Sequence, residues 1–363
     1  MRTGHRFLAV VGVFVSIGFS APGLAQGPDE AARLHRAAIE AHRAKDWAGF
    51  LANTKKEIEL RPGRPGLLYN LACAEALNGH QAEAARALAT LLQRGIDFGA
   101  EADDDLASLR ASAEWPALRT KLEKLKAPVS TSVPAFRLAE KDLLTEGLAY
   151  DPKTRAFFIS SVRKRKIVRR APDGTVTDFV ATGKDGLFGV LALLADEKRR
   201  ELWATSTAVP QMEGFAKDLE GKAGVFRYDL DSGRLVAKVL LTPDGKRHNL
   251  NDLTLDAKGD AYVSDPAAGV VYRLARGKGE LETFLPAGVV RSPQGLALSK
   301  DGKSLYVADY GEGIVVVDLA TKAARPLAAP ADVPLMGVDG LVRHGDSLLV
   351  TQNGIRPYRV VRL

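Results

Sequence analysis

Four oxygen-bearing side chains open similar stretches in the C-terminal half of this sequence: Glu146, Asn251, Gln294 and Asp339. Carboxylates neutralise a divalent cation and amide carbonyls add further oxygen ligands. Such a donor set suits calcium, or magnesium and manganese with more water retained. The chain has one cysteine, and the histidine nearest to any of these positions is His248, three residues before Asn251. A zinc site of the common nitrogen and sulfur type is therefore not expected.

The stretches that follow these residues predict how they are positioned. The clearest, SPQGLALSKDGKSLYVADY at residues 292–310, alternates apolar residues on both sides of an Asp-Gly turn, which indicates a β-hairpin. Copies begin at Thr145, Asn251 and Val338, with a weaker copy at Gly189. Asn251 and Gln294 are 43 residues apart, and Gln294 and Asp339 are 45 apart, which is typical of propeller blades of about 40–50 residues. First strands line the channel of a propeller, so the opening residues should converge near its axis.

The N-terminus has the layout of a secretory signal. Residues 1–25 carry Arg2, His5 and Arg6, then the apolar run FLAVVGVFVSIGF and small residues before Gln26. This pattern predicts a cleaved signal peptide and an exported protein, periplasmic or secreted, with a membrane anchor as the alternative. The run is shorter than the roughly 20 apolar residues of a membrane span, so no stable span is expected.

Charge and cysteine content narrow the function classes. The formal charge of +7 falls to +5 when Arg2 and Arg6 are removed, and export makes nucleic acid an unexpected partner. The single cysteine, Cys73, excludes an internal disulfide framework, and its apolar helical surroundings indicate burial. The basic run RKRKIVRR at 163–170 predicts an exposed hairpin in the first blade, with docking of an anionic partner as the alternative.

The chain divides by periodicity into a helical part and a strand-rich part. Residues 26–125 are rich in Ala, Leu, Glu and Arg with apolar spacings of three and four, and a 34-residue frame from Pro65 resembles a tetratricopeptide repeat. Residues 30–125 could therefore bind a protein partner or serve as a packing spacer. Residues 126–134, with two prolines, predict a linker. Residues 135–363 then follow the strand period of two.

Residues 135–363 resemble the senescence marker protein, gluconolactonase and luciferin-regenerating-enzyme-like family. The matching motifs are EGLAYD, NDLTLDAKGDAYVSD, SPQGLALSKDGKSLYVAD and VDGL. The resemblance implies a six-bladed propeller with an axial divalent metal, most simply Ca²⁺, with Mg²⁺, Mn²⁺ or Zn²⁺ as alternatives. It implies Glu146, Gln294 and Asp339 as metal ligands, Asp339 as general base and Asn251 as a substrate-binding amide. This chain departs from the family at Gln294, where the family has asparagine.

The resemblance implies a metal-dependent hydrolase that opens a sugar lactone or similar cyclic ester, with the cation polarising the carbonyl and Asp339 taking a proton from the attacking water. The alternative is a non-catalytic envelope scaffold or ligand-binding propeller with protein contacts through the helices. Only five hairpin copies occur, so we expect an incomplete six-bladed propeller whose C-terminal blade is missing. Asp252, Asp265 and Asp309 are expected at turns and blade edges.

Overall fold

A computed structural model describes residues 27–130, 132–330 and 333–363. The predicted signal peptide at residues 1–25 lies outside the described residues. Within the described ranges, no helix has both the length and the apolar character needed to cross a membrane.

The described residues before residue 127 form six α-helices, as the periodicity predicts. Asp46 caps the second helix by accepting a hydrogen bond from the Gly49 backbone. The third and fourth helices are joined by a short turn in which Gly79 has a positive φ. The helices are α1 Gly27–Arg43, α2 Trp47–Leu60, α3 Pro65–Leu77, α4 Gln81–Gln93, α5 Ala107–Arg110 and α6 Trp115–Lys126.

The chain forms two compact units. The first comprises the described residues up to Leu88 together with Asp103–Trp115. Inside it, α1 packs on α2, α2 packs on α3, and α3 packs on α5. The second unit comprises Ala89–Ala102 and Pro116–Leu363. The Asp97 backbone N–H in this unit donates to the Arg356 carbonyl at 3.0 Å, which ties residues 89–102 to the last sheet.

Five antiparallel sheets in the second unit are the blades of a β-propeller. Each predicted hairpin supplies the first two strands of one blade. Blade 1 contains β1 Leu148–Asp151, β2 Ala156–Ser161, β3 Lys166–Arg170 and β4 Val176–Val180, and blade 2 contains β5 Gly189–Asp196, β6 Glu201–Thr207, β7 Ala223–Asp229 and β8 Leu235–Leu240. Blade 3 contains β9 Leu253–Leu255, β10 Ala261–Asp265, β11 Val270–Leu274 and β12 Glu282–Leu285. Blade 4 contains β13 Pro293–Leu298, β14 Ser304–Asp309, β15 Gly313–Asp318 and β16 Ala324–Pro326, and blade 5 contains β17 Val338–His344, β18 Ser347–Gln352 and β19 Arg359–Arg362.

The prediction of a six-bladed propeller lacking its C-terminal blade is wrong. The described residues form five blades, and the fifth has three strands where the others have four. The number six came from the family resemblance, whereas the chain carries five hairpin copies and each copy builds one blade. The propeller class is confirmed, and the number of blades is corrected to five.

Apolar cores lie between consecutive blades. Phe158 of blade 1 packs with Phe226 of blade 2, and similar cores join blades 2 and 3, 3 and 4, and 4 and 5. Residues of the first and last blades that lie outside these interfaces are more exposed. Leu148 of blade 1 is 60% exposed and Val342 of blade 5 is 57% exposed. Stability therefore comes from the faces that consecutive blades bury against each other.

The glycines that follow two of the opening residues let neighbouring inner strands approach closely. A Cβ atom on Gly147 would lie 2.3 Å from the Leu191 carbonyl oxygen of blade 2. A Cβ atom on Gly295 would lie 2.5 Å from the Leu341 backbone nitrogen of blade 5. The inner strands of blades 1 and 2, and those of blades 4 and 5, therefore approach closely, and the second approach brings Gln294 near Asp339.

Candidate functional site

The four predicted site residues all lie at the beginnings of inner strands. Glu146 and Asn251 each precede their strand by two residues, while Gln294 and Asp339 are the second residues of β13 and β17. The pairing register slips between Pro293 and Leu296, and again between Val338 and Gly340. These slips are β-bulges, which change the direction of a side chain at the end of a strand. The sequence pattern gave no sign of them.

Asn251 and Gln294 are brought into direct contact. The Asn251 Nδ2 atom donates to Gln294 Oε1 at 2.7 Å, and Gln294 Nε2 donates to the Ser292 hydroxyl at 3.2 Å. Both ends of the Gln294 amide are therefore held by protein. Its carbonyl oxygen keeps one further lone pair that could bind a cation or a substrate hydroxyl.

Glu146 and Asp339 form a second part of the site. Partial burial and the negative charge of Asp339 raise the pKa of Glu146. Burial is the larger of the two causes, and the second indicates that the two negative charges lie close enough to interact. In the described part of the chain, no salt bridge joins either carboxylate to a basic side chain. Among the described residues, no basic side chain therefore pairs with the negative charge of the site.

Asp252 is a third carboxylate near this site, which the sequence had assigned to a turn. Its Oδ2 atom accepts a hydrogen bond from the Leu296 backbone at 2.8 Å, so it joins blade 3 to blade 4. Burial raises its pKa to about 7, aided by the charge of Asp339 and opposed by backbone hydrogen bonds. Asp252 follows Asn251 at the position where the other inner strands have glycine. The aspartate in place of glycine is the feature of the sequence that could have identified Asp252 as a site residue.

Two more residues missed by sequence reasoning are joined to the candidate base, one directly and one through the first. Asn353, after β18, donates from Nδ2 to Asp339 Oδ2 at 2.6 Å. The Tyr310 hydroxyl, after β14, donates to Asn353 Oδ1 at 3.1 Å. Neither residue begins an inner strand, so the repeat pattern could not identify them.

The donor set fits a divalent cation that prefers oxygen. Glu146 and Asp339 supply two carboxylates with no basic partner, and Gln294 supplies an amide oxygen from a third blade. Hard cations such as Ca²⁺, Mg²⁺ and Mn²⁺ take ligands of this kind. Repulsion between the two carboxylates would be relieved by a positive ion between them.

His248 is held by protein. Its Nδ1 atom lies 2.7 Å from Asp265 and its Nε2 atom lies 2.8 Å from Asp244, so both nitrogens have carboxylate partners. Burial lowers the pKa of His248, but the two carboxylates outweigh burial and the pKa is raised. The ring borders a pocket of about 220 Å³ that is also lined by Tyr272 and Glu280. As an imidazolium, His248 cannot ligate a metal.

Three of the six basic side chains at residues 163–170, those of Arg163, Lys164 and Lys166, pair with acids. Lys164 pairs with Asp142 and Glu213, and Lys166 pairs with Glu140 and Asp178. Glu213 belongs to the long β6–β7 connection, whose backbone N–H at this residue also donates to the Arg163 carbonyl. The run therefore anchors this connection on blade 1, which weakens the alternative of an anion-docking surface.

Cys73 lies in α3, in the first unit. Burial raises the pKa of its thiol, and the charges of Asp103 and Asp105 add to the effect. These three residues are a group of potential metal ligands whose donor atoms lie within 4.8 Å of one another. The Asp103 and Asp105 carboxylates already accept hydrogen bonds from Tyr69 and His42, both at 2.7 Å. Cys73 is a buried thiol and not a thiolate nucleophile.

Comparison with known proteins agrees with the sequence motifs. The profile of the SMP-30/Gluconolactonase/LRE-like region matches residues 144–354, more than half of the 363-residue chain. No curated protein matches the sequence.

Solved propellers are similar at low identity. A gluconolactonase from Xanthomonas campestris is 22% identical, with 57% of this chain and 69% of that chain covered and a TM-score of 0.43. A luciferin-regenerating enzyme is 18% identical, with 60% and 71% covered and a TM-score of 0.44. A chain of a nidogen/laminin complex is 15% identical, with 58% and 73% covered and a TM-score of 0.45. On the match of the family profile, the chain belongs to the SMP-30/gluconolactonase/LRE-like family.

Proposed function

We propose that this protein is a hydrolase of the gluconolactonase type that opens a sugar lactone or a similar cyclic ester. The observation that carries the proposal is the pair of carboxylates, Glu146 and Asp339, which open two inner strands and have no basic partner in the described residues. Burial, and then the negative charge of Asp339, raise the pKa of Glu146. An amide pair, Asn251 and Gln294, completes the same site. Family membership adds support for a lactonase-type propeller.

In this proposal, Glu146, Gln294 and Asp339 hold a divalent cation, most simply Ca²⁺. When bound, the cation would supply Lewis-acid polarisation of the ester carbonyl. The Gln294 carbonyl is directed toward Asn251, so this amide pair presents both a donor and an acceptor to a polyhydroxylated substrate. Asn251 would orient the substrate through its hydrogen bonds.

Asp339 is the proposed general base. Asn353 holds its Oδ2 atom, and its Oδ1 atom has no protein hydrogen-bond partner in the described part of the chain. A carboxylate with one oxygen anchored and the other available can accept a proton from an attacking water at a defined position. Glu146 is less suited to this role because its carboxylate accepts no hydrogen bond from a described residue, so no protein donor fixes its direction.

The test is acid release from a panel of aldonolactones by the purified protein, with Ca²⁺, Mn²⁺ or Zn²⁺ added and with chelator as the negative arm. Asp339→Asn should lower kcat about 100-fold or more, the usual contribution of a general base. Asp346→Asn is the matched control, because this carboxylate lies in the same blade and its side chain is 81% exposed. Equal activity of Asp339→Asn and wild type would contradict the assigned role, and no turnover with any cation would contradict the reaction.

We further propose export and a protein partner for residues 30–125, both inferred from sequence. Two features support a protein partner. The helices α1, α2 and α3 pack in chain order, as stacked helix pairs of a tetratricopeptide-like array do. Ile39 and Leu60 expose apolar surface. Such a surface would suit an apolar peptide. A full-length chain carrying Ile39→Glu and Leu60→Glu should then lose peptide binding and keep lactone turnover.

A further inference from the structure

We propose that Asn353 and Tyr310 are positioning residues that orient Asp339 for catalysis. This inference rests on the proposed function, because the two residues would orient Asp339, the proposed general base. Tyr310 comes from blade 4, and Asn353 and Asp339 come from blade 5. Their side chains form one hydrogen-bonded series from the Tyr310 hydroxyl through the Asn353 amide to the Asp339 carboxylate.

The direction of this series follows from the chemistry of its members. An ionised carboxylate only accepts hydrogen bonds, so the atom of Asn353 that lies 2.6 Å from Asp339 Oδ2 must be its NH₂ group. The Asn353 carbonyl then faces Tyr310, whose hydroxyl must donate to it at 3.1 Å. Each donor therefore polarises the next, and the series ends in a charge-assisted hydrogen bond to the base.

Backbone hydrogen bonds hold the series in place although Asn353 is exposed. The Gly337 N–H donates to the Tyr310 carbonyl at 2.7 Å. The Gly337 carbonyl in turn accepts from the N–H groups of Asn353 and Gly354, both at 3.1 Å. Tyr310 and Asn353 are thus joined through their backbones as well as their side chains.

The close fit of Tyr310 against this loop depends on glycine. A Cβ atom on Gly354 would lie 2.7 Å from Cζ of the Tyr310 ring, which leaves no room for any side chain. The ring can therefore lie against the loop and deliver its hydroxyl to Asn353 only because residue 354 is glycine.

The consequence for Asp339 is a carboxylate with two different oxygens. Oδ2 is bound by Asn353, and Oδ1 is left for a water, a substrate or a cation. Residue 339 also lies at the β-bulge of β17, where strand pairing alone does not determine the side-chain direction. Asn353 supplies the restraint that the bulge removes.

The experiment compares Asn353→Ala, Asn353→Asp and Tyr310→Phe with wild type in the full chain. Thr351→Ala and Tyr150→Phe serve as matched controls, because both side chains are exposed and Tyr150 lies in blade 1. Lactone kinetics, calorimetric titration with Ca²⁺ and thermal unfolding are measured for each. Asn353→Asp keeps the shape of the side chain but replaces the donor with a second carboxylate, so it separates packing from hydrogen bonding.

We expect Asn353→Ala to lower kcat about 10-fold with KM nearly unchanged and to weaken Ca²⁺ binding about 10-fold, as loss of a supporting hydrogen bond typically does. Asn353→Asp should lower kcat further, Tyr310→Phe should lower it a few-fold, and the controls should match wild type. Thermal unfolding should change little, because the side chains are exposed.

Different results separate the two proposals. Wild-type kcat and Ca²⁺ affinity in Asn353→Asp would overturn the positioning role while the lactonase proposal stands. A wild type that binds Ca²⁺ but opens no lactone, with binding weakened in Asn353→Ala, would overturn the reaction while the positioning role stands. A wild type that does neither would overturn both.

Discussion

Two carboxylates of the site differ in how the protein holds them. Asp339 is anchored through Oδ2 by Asn353, whereas the Glu146 carboxylate accepts no hydrogen bond from the described residues and has a raised pKa. An anchored carboxylate suits a base that must meet one proton, and an unanchored one suits a ligand that adjusts to a cation. The two residue types are similar, and their surroundings distinguish their proposed roles.

A second residue whose surroundings determine its charge is His248. Both of its partners, Asp244 and Asp265, are carboxylates that only accept hydrogen bonds, so both ring nitrogens carry protons and the ring is an imidazolium. Its folded pKa is raised above the ordinary value of about 6.5. The stability it contributes is therefore full below about pH 6.5 and is lost as the pH rises through the folded pKa.

We expect His248→Gln to lower the free energy of unfolding by about 2 kcal/mol at pH 6, because Asp265 is buried and loses its charged partner. The difference between variant and wild type should shrink at pH 9. Urea unfolding at the two pH values measures this. His344→Gln is the control, since His344 is exposed. A difference that is constant with pH would show that His248 is not charged in the folded protein.

At the scale of elements, the inner strands determine the geometry of the site. The bulges in β13 and β17 turn Gln294 and Asp339, and Gly295 allows the two strands to approach. In blade 3 the corresponding position is Asp252, which bonds the Leu296 N–H of the next blade. Neighbouring inner strands are therefore joined either by close backbone approach or by a carboxylate.

Gly295→Ala tests this arrangement. Its Cβ would lie 2.5 Å from Leu341 N and 2.8 Å from the Asp339 carbonyl oxygen, so β13 and β17 must move apart. We expect a loss of about 1–3 kcal/mol in the free energy of unfolding, as for other overpacked sites, and weaker lactone turnover. Gly311→Ala is the control, because nothing lies within 4 Å of its Cβ position. Equal urea midpoints for the two variants would contradict the close approach.

At the scale of the whole molecule, consecutive blades are joined by polar contacts in addition to the apolar cores. Arg200, in the β5–β6 turn of blade 2, donates to both oxygens of Asp151 in blade 1 at 2.7 and 2.9 Å. It also pairs with Asp231. The guanidinium holds the pKa of the buried Asp151 carboxyl well below its usual range. One arginine thus links two sheets through a bidentate contact.

Arg200→Met should lower the free energy of unfolding by about 3 kcal/mol at pH 7, because it leaves Asp151 buried without its partner. The folded pKa of Asp151 is lowered, so the stability from this pair is present above about pH 4 and is lost as the pH falls. Adding Asp151→Asn to Arg200→Met should recover part of the loss. A double variant no more stable than Arg200→Met would contradict this account.

Much of the architecture follows from local patterns. Alternation of apolar residues on both sides of short turns predicted the five hairpins because a strand exposes successive side chains on opposite faces, and the 3.6-residue period predicted the helices before residue 127. The opening residues Asn251 and Gln294 could be selected because first strands line the channel, and they are in contact. The number of blades was wrong because it was inferred from the family and not from the repeats.

The sequence by itself determined the helical and propeller regions, the family and the oxygen-rich openers of the inner strands, because these depend on periodicity and on residues close together in the chain. Only the tertiary structure decided that Asp252 bridges blades 3 and 4 and that Tyr310 and Asn353 form a hydrogen-bonded series to Asp339. Residues 310 and 353 lie 43 positions apart and share no motif. Their contact exists because blades 4 and 5 pack together, and packing between blades leaves no periodic signal in the chain.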